Sequence, residues 1–66
     1  MNLIDFRNDL GSSQKEIARK LGITYSFYSK IETGERRPSY NFLNKFKKTF
    51  PNADIDKIFF ANNPHL

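Results

Sequence analysis

The sequence predicts an all-α domain of five short helices. Ser, Thr and Asp residues stand at positions typical of helix N-caps, and glycines and prolines separate the stretches that follow them. Within these stretches apolar residues recur at spacings of three and four, the period of an amphipathic helix rather than of a strand. No linker, repeat or low-complexity tract interrupts the chain, so we expect a single domain over residues 1–66.

The first helix is predicted over residues 3–10, with a charged residue, Arg7, in the middle of its apolar stripe. A guanidinium cannot remain unpaired on a buried surface at reasonable cost. We therefore expect Arg7 to meet a buried acceptor; the alternative is that its side chain extends into solvent at the helix end. The apolar stripe consists of Leu3, Phe6 and Leu10.

The second helix is predicted to begin at Gln14. Ser13 and Glu16 fit a capping box, in which the Ser13 hydroxyl accepts from a free backbone amide and the Glu16 carboxylate accepts from the Ser13 amide. Gly22 permits the positive φ that ends the helix and turns the chain. One side of this helix is apolar, formed by Ile17, Ala18 and Leu21, and the other is polar, formed by Lys15, Glu16, Arg19 and Lys20.

The third helix is predicted from Tyr25 to Thr33, with Thr24 as its N-cap and Gly34 as its end. At about 100° per residue its residues divide into a core arc and an opposite, outward arc. The outward arc has no carboxylate, whereas an ordinary solvated face carries both signs, so it suits a major groove lined by base edges and phosphates. The alternative is a polar surface without a ligand. The core arc is Phe27, Tyr28 and Ile31, and the outward arc is Tyr25, Ser26, Ser29, Lys30 and Thr33.

Two further helices are predicted in the last part of the chain. The fourth runs over residues 40–50 after an N-cap at Ser39, and Pro51 follows where a helix does not easily continue. The fifth is short and opens at Asp54. Their inward residues are predicted to be Phe42, Leu43, Phe46 and Phe50 in the fourth helix and Ile55, Ile58 and Phe59 in the fifth.

The composition favours one class of partner and excludes several classes of protein. Eleven Lys and Arg residues against seven Asp and Glu give a net charge of +4, which favours a polyanionic partner. The absence of cysteine excludes a disulfide scaffold and a thiolate zinc site. No apolar run approaches the roughly 18 residues of a membrane span, and the N-terminus lacks the pattern of a signal peptide. We expect a soluble, cytoplasmic protein that associates with the nucleoid through DNA.

The sequence offers little support for an enzyme. Its single histidine, His65, lies beside the C-terminus and is interpreted as a tail residue. No group of His, Cys or carboxylate residues has the spacing of a metal site, and no base lies near the serines in sequence. We therefore expect no catalysis, no metal, no cofactor and no small-molecule ligand.

The order of elements between residues 13 and 39 is typical of a helix-turn-helix motif that binds DNA. A capped short helix, a glycine turn, a second capped helix and a basic loop closed by Pro38 follow one another without interruption. These residues closely resemble the phage-repressor and Cro-like helix-turn-helix family, also known as XRE-type regulators. The matching segments are Gln14–Ala18, Leu21–Thr24 and Ile31–Ser39, and the pattern extends from about Leu3 to Phe50.

The resemblance implies a compact, five-helix, lambda-repressor-like DNA-binding domain. Members of this family act on operators in bacteria or their phages, are usually dimeric, and bind paired half-sites about one turn of DNA apart. It also implies which residues meet the bases: Tyr25, Ser26 and Lys30 match the family's base-facing positions, with Ser29 and Thr33 beside them.

The sequence does not assign these side chains to particular base edges or phosphates. Lys30 could donate to guanine O6 or N7 or, equally, to a phosphate, and Ser26 could donate or accept at several base edges. Tyr25 could use its hydroxyl or lay its ring against a thymine methyl.

Phosphate contacts are expected at the start of the second helix and after the third. Gln14 resembles the family residue whose side chain meets a phosphate and braces the reading helix. Arg36 and Arg37 lie in the loop that should follow the DNA backbone, and Asn41 could add an amide donor. The alternative for these three residues is a solvated loop. Lys15 and Arg19 are weaker candidates for phosphate contact, and we expect them rather to face solvent.

Two pairings are expected inside the domain. Glu32 lies at the edge of the third helix, and the matching family positions often form a buried Arg to Glu pair, so we predict a structural Arg7 to Glu32 bridge. Tyr28 stands where the family usually has a β-branched aliphatic residue. Its hydroxyl must therefore find a partner or reach the surface.

Dimerisation is expected to use the C-terminal segment, residues 54–66, and in particular Ile58 and Phe60. Phe60 falls off the apolar stripe of the fifth helix, and a symmetric partner could cover its ring. The alternative is that Phe60 folds back on its own core or against Leu66. The sequence thus predicts a sequence-specific transcriptional regulator, and a repressor acting by promoter occupancy in particular; the alternative function is a protein-binding module of the same fold, of the antitoxin or antirepressor type.

Overall fold

Five helical segments follow one another in the computed structural model, which describes residues 2–60. The part of the chain that is described contains no strand, and the all-α prediction is confirmed. Four of the segments are α-helices and the last is a short π-helix, labelled α5 here. Their bounds are α1 Leu3–Leu10, α2 Gln14–Leu21, α3 Tyr25–Thr33, α4 Tyr40–Thr49 and α5 Asp56–Phe60.

Local hydrogen bonds set the ends of these helices. Ser13 and Glu16 form the predicted capping box, and the hydroxyls of Thr24 and Ser39 each accept from the backbone amide three residues later. Asn2 caps α1 in a second capping box with Asp5, which the sequence interpretation overlooked although the Asn-x-x-Asp spacing was present.

Glycines end the first three helices, and two of them shape the predicted motif. Gly22 and Gly34 adopt φ angles of 73° and 87°, a left-handed conformation that costs other residues energy because of their Cβ atoms. The Gly22 turn brings α3 across α2, as a helix-turn-helix requires.

The core of the described residues lies between α2, α3 and α4 and is closed by α1 and α5. Phenylalanines dominate it: the Phe46 ring is fully buried and its centroid lies 5.1 to 6.0 Å from those of Phe50, Phe59, Phe6 and Phe42. Tilted and edge-to-face pairs of this kind add to the stabilisation from area burial. The other buried hydrophobic residues are Leu3, Ile17, Ala18, Leu21, Tyr28, Ile31, Phe42, Ala53 and Ile58.

Two details differ from the prediction. The fourth helix ends at Thr49, not Phe50, because a residue before proline is disfavoured in helical conformation, and Phe50 instead has φ −127° and ψ 74°. Leu10 is 45% exposed, since the last turn of α1 extends past the core to a shallow groove beside Phe50 and Pro51.

The fifth segment was expected to be a short helix that opens at Asp54, and the structure has a helical segment there. It is a π-turn in which Asp54 acts as the cap: its carboxylate accepts from the Lys57 amide at 3.1 Å, and its carbonyl from the Ile58 amide at 3.0 Å. Apolar spacing does not separate a π-turn from an α-helix in so short a segment. Ile58 is buried and Phe59 packs on the core, as expected.

None of the helices described is long and apolar enough to span a membrane. The predictions for His65 as a tail residue and for a Phe60 contact with Leu66 lie outside the described residues.

Candidate nucleic-acid interface

The outward arc of α3 is accessible in the structure. Tyr25, Ser26, Lys30 and Thr33 are exposed and Ser29 is half-buried, while Tyr28 and Ile31 on the opposite side are buried. The core arc inferred from the sequence therefore packs inward, and all five candidate base-reading residues share the outer surface of one helix. The helix that carries this surface is capped at its start, where the Thr24 hydroxyl accepts from the Phe27 amide at 3.1 Å.

Two hydroxyls of this arc already donate within the helix. Ser29 donates to the Ser26 carbonyl at 3.3 Å, and Thr33 donates to the Lys30 carbonyl at 3.2 Å. Each hydroxyl keeps lone pairs that can accept a hydrogen bond. In this state Ser29 and Thr33 present acceptors, whereas Lys30 presents only donors.

The single carboxylate of α3, on Glu32, is turned away from this surface. Its side chain is 3% exposed and forms a bidentate contact with Arg7, with Nε to Oε2 at 2.9 Å and Nη2 to Oε1 at 3.2 Å. The Tyr28 hydroxyl donates to Oε2 at 2.8 Å, and the Gln14 side-chain amide donates to Oε1 at 2.6 Å. We call these four side chains the Glu32 network; it joins α1, α2 and α3.

The network explains both anomalies of the sequence. Arg7 is accommodated because Glu32 accepts two of its N–H groups and the Ser12 carbonyl accepts a third at 3.2 Å. Tyr28, fully buried, is accommodated because its hydroxyl reaches a carboxylate one helical turn away. Within residues 2–60 no buried side-chain polar atom lacks a hydrogen-bond partner.

The ionisation of the network follows from these contacts. Burial by itself raises the pKa of the Glu32 carboxyl, but hydrogen bonds from Arg7, Tyr28 and Gln14 outweigh burial and hold this pKa below its usual value. The hydrogen bond to Glu32 raises the pKa of the Arg7 guanidinium. Burial, followed by the contact with Glu32, raises the pKa of the Tyr28 hydroxyl. At neutral pH the network therefore holds a carboxylate, a guanidinium and a neutral phenol.

Gln14 belongs to α2 and contacts α3. It is the first residue of α2, it is half-buried, and its amide nitrogen donates to Glu32 on α3. The amide carries two N–H donors, of which Glu32 occupies one, and one remains for another acceptor. Gln14 thus links the start of α2 to α3.

The loop after α3 carries two arginines, and one of them is held against α3. Arg36 is held at two points: its amide donates to the Lys30 carbonyl at 3.1 Å, and its guanidinium carbon lies 5.0 Å from the centre of the Phe27 ring. A guanidinium stacked on an aromatic ring keeps its edge N–H groups available. Arg37 is exposed.

A shallow depression separates the start of α3 from the start of α4. Asn41 is exposed on its rim, and Lys45 lines it together with Thr24 and Phe27. Lys45 lies on the exposed side of α4. Its position beside the α3 N-terminus depends on the angle between two helices, which a helical-wheel pattern does not contain.

A second residue that sequence reasoning undervalued is Lys15 on α2. Its ammonium nitrogen lies 5.8 Å from the centre of the Tyr25 ring on α3. This distance is within the range of a cation–π contact. Lys15 is therefore part of the candidate interface rather than a residue that only faces solvent.

Ile58 and Phe60, the two residues expected to form a dimer contact, differ in their exposure. Phe60 is 38% exposed, and its ring centroid lies 6.5 Å from that of Phe59. Ile58 is 6% exposed because the π-turn directs it into the core of its own chain. Ile58 is thus unavailable to a partner in this conformation, and Phe60 is the remaining candidate of the two.

Comparisons with known proteins agree with the motif. A family model described as helix-turn-helix matches residues 3–52. A protein from Archaeoglobus fulgidus described as an uncharacterized HTH-type transcriptional regulator is 46% identical over 41 residues, which cover 62% of this chain and 18% of that protein. The chain thus spans less than a fifth of the length of this relative. No solved structure matched the chain significantly.

Proposed function

The chain belongs to the helix-turn-helix family of phage-repressor and Cro-like, or XRE-type, regulators, and we propose that it is a sequence-specific double-stranded DNA-binding transcriptional regulator. The observation that carries this proposal is the outer surface of α3. It combines hydroxyls, an aromatic ring and a cation, while the one carboxylate of α3 is turned inward and neutralised by Arg7. Such a surface suits the acceptor-rich major groove and the phosphates on either side of it.

The proposed binding mode places α3 in the major groove. Tyr25, Ser26 and Lys30 contact base edges, and Ser29 and Thr33 lie at the sides of the groove. Phosphates are contacted by four residues around this helix: Gln14, Arg36, Arg37 and Asn41. We propose that the protein acts by binding DNA, without catalysis, and that it does so in the cytoplasm, on the nucleoid.

The test is selection of bound duplexes from a random DNA pool with the intact chain at about physiological salt. A recurring sequence is expected, and Lys30→Met should alter its preference at one or two base pairs. Lys48→Met, which removes the same charge from the exposed side of α4, should leave the preference unchanged. Failure of the folded chain to enrich any sequence would overturn the proposal.

We further propose that the protein represses transcription by occupying a promoter. Occupancy requires only affinity and correct placement, and it needs no surface for recruiting polymerase. With the selected site placed across a promoter, transcription in vitro should fall as the protein is added; placed upstream of the promoter, the same site should have no effect. Activation from the upstream site would contradict repression by occupancy.

We also propose a homodimer on an inverted repeat, with Phe60 at the contact between subunits. The support is the 38% exposure of this large apolar ring and the two-fold pairing of half-sites that the fold permits. Selection should yield two half-sites in inverted orientation, and Phe60→Ser should weaken binding to the repeat while leaving binding to one half-site unchanged. A single half-site would indicate a monomer.

The exposed aromatic residues favour one alternative function, a protein-binding module of the antitoxin or antirepressor type. Tyr40 is 78% exposed and Phe60 is 38% exposed, and both lie outside the outward arc of α3. This alternative predicts no enriched duplex and a loss of partner binding in Phe60→Ser, with Lys30→Met unaffected.

A further inference from the structure

The contact between Lys15 and Tyr25 joins the two helices of the motif at their exposed N-terminal ends. Lys15 is the second residue of α2, and Tyr25 is the first residue of α3. The ammonium nitrogen lies 5.8 Å from the ring centre. A cation in this position attracts the face of the ring and restricts its rotation.

The position of Lys15 is unfavourable for its own helix. The N-terminal end of a helix carries a partial positive charge, so a lysine in the first turn is repelled rather than attracted. Within residues 2–60 no carboxylate lies within ion-pair distance of its ammonium group, since the ion pair found there joins Arg7 and Glu32. The ring of Tyr25 is thus the partner that the fold supplies, and a residue that opposes a local rule in this way is a candidate for function.

The ring of Tyr25 remains accessible despite this contact. The residue is 47% exposed, and it stands where α3 begins its outward arc. A ring that is already oriented loses less conformational freedom when it meets a ligand than a freely rotating one. In the major groove the apolar partner for such a ring is the C5 methyl group of thymine.

We propose that Lys15 is a positioning residue for Tyr25, and that this pair recognises a thymine through packing of the tyrosine ring on its C5 methyl group. The inference rests on the proposed function and specifies the ligand of one of its residues. It selects the ring, not the hydroxyl, as the reading group of Tyr25. It also gives Lys15 a role in specificity in addition to its charge.

The test replaces each thymine of the selected duplex in turn by deoxyuridine, which removes the methyl group and keeps the base pairing. One position per half-site should lose about fourfold in affinity for the original chain, the effect of one buried methyl-sized group. Tyr25→Ala should abolish this discrimination, and Tyr25→Phe should keep it. Lys15→Met should reduce it, and Lys15→Arg, which retains a cation that can stack, should restore it.

The matched control is Lys20→Met, which removes the same charge from the other end of α2. It should leave thymine discrimination unchanged, whereas Lys15→Met should reduce it. In a double-mutant cycle Lys15→Met should have no further effect on discrimination once Tyr25 is alanine.

Four results would overturn the proposal. Equal loss of affinity for every sequence in Lys15→Met, with the slope of log affinity against log salt shallower by about 0.9, would make Lys15 a phosphate contact only. Loss of discrimination in Tyr25→Phe would assign reading to the hydroxyl. Uniform tolerance of deoxyuridine would exclude the methyl contact. If the original chain selects no duplex, the proposed function itself fails, and that result is distinct from the other three.

Discussion

The two halves of the molecule are held together by different kinds of contact. Around Glu32, four side chains from α1, α2 and α3 are joined by directional hydrogen bonds at 2.6 to 3.2 Å. Around Phe46, rings from α1, α4 and the π-turn pack without any polar group. Apolar packing is non-directional and supplies most of the stability, whereas hydrogen bonds to a buried carboxylate depend on geometry and on pH.

α3 takes part in both kinds of contact. α3 contributes Tyr28 and Ile31 to the core, and the Glu32 network joins the same helix to α1 and α2 by directional hydrogen bonds. The phenylalanine cluster supports the helix from behind. We expect the phenylalanine cluster to contribute mainly to stability and the Glu32 network to the placement of α3, and substitutions should separate the two.

The largest effect is expected in the phenylalanine cluster. Phe46→Ala removes a fully buried ring that contacts four other rings, and should lower the free energy of unfolding by about 3–5 kcal/mol. In a domain of this size that is a large part of the total stability. Urea denaturation followed by circular dichroism measures it. Phe60→Ala, at a 38% exposed ring, is the control and should cost much less.

Breaking the Glu32 network should lower the free energy of unfolding somewhat less than Phe46→Ala does. Glu32→Ala leaves the Arg7 guanidinium, the Tyr28 hydroxyl and the Gln14 amide without their acceptor, and a loss of about 3 kcal/mol is expected, the lower end for breaking a buried pair, since Arg7 keeps 18% exposure. The double replacement Arg7→Met with Glu32→Leu should recover part of this loss. A change below about 0.5 kcal/mol for Glu32→Ala would show that the bridge does not stabilise the fold.

A finer change isolates the tyrosine that is unusual for the family. Tyr28→Phe keeps the buried ring and removes only the hydroxyl that donates to Glu32 at 2.8 Å. A hydrogen bond to a charged group contributes about 1.5 kcal/mol or more, so a loss near that value is expected in urea denaturation. Phe27→Tyr adds a hydroxyl at a half-buried position and should change stability little. Unchanged stability in Tyr28→Phe would mean that Arg7 and Gln14 alone suffice for the carboxylate.

The smallest expected effect is a dependence on pH. Because the folded-state pKa of Glu32 is lowered, its contribution to stability is fully present above the ordinary carboxyl pKa of 4.5 and is lost as pH falls through the lower, folded-state value. The loss should be smaller than in Glu32→Ala, because a protonated carboxyl still accepts hydrogen bonds. Melting temperatures between neutral pH and about pH 3 measure it. Glu32→Gln should flatten this part of the profile; an identical profile would assign the pH dependence to other carboxylates.

The sequence by itself determined where most helices begin and end. Caps at Ser13, Thr24 and Ser39 and the glycine at position 34 act through hydrogen bonds and backbone angles within three or four residues, so their signals are local and readable. The same holds for the division of α3 into a core arc and an outward arc, which follows from helical geometry alone.

The tertiary structure decided which of these surfaces meet. Arg7 and Glu32 are 25 residues apart, and their pairing could be expected from the family pattern, but the additional donors from Tyr28 and Gln14 depend on the angles at which three helices cross. The same crossing places Lys15 over the Tyr25 ring. The exposure of Leu10 depends on where the core ends. Helical periodicity gives the direction in which a side chain points from the axis of its helix. Only the packing between helices decides which residues lie in that direction.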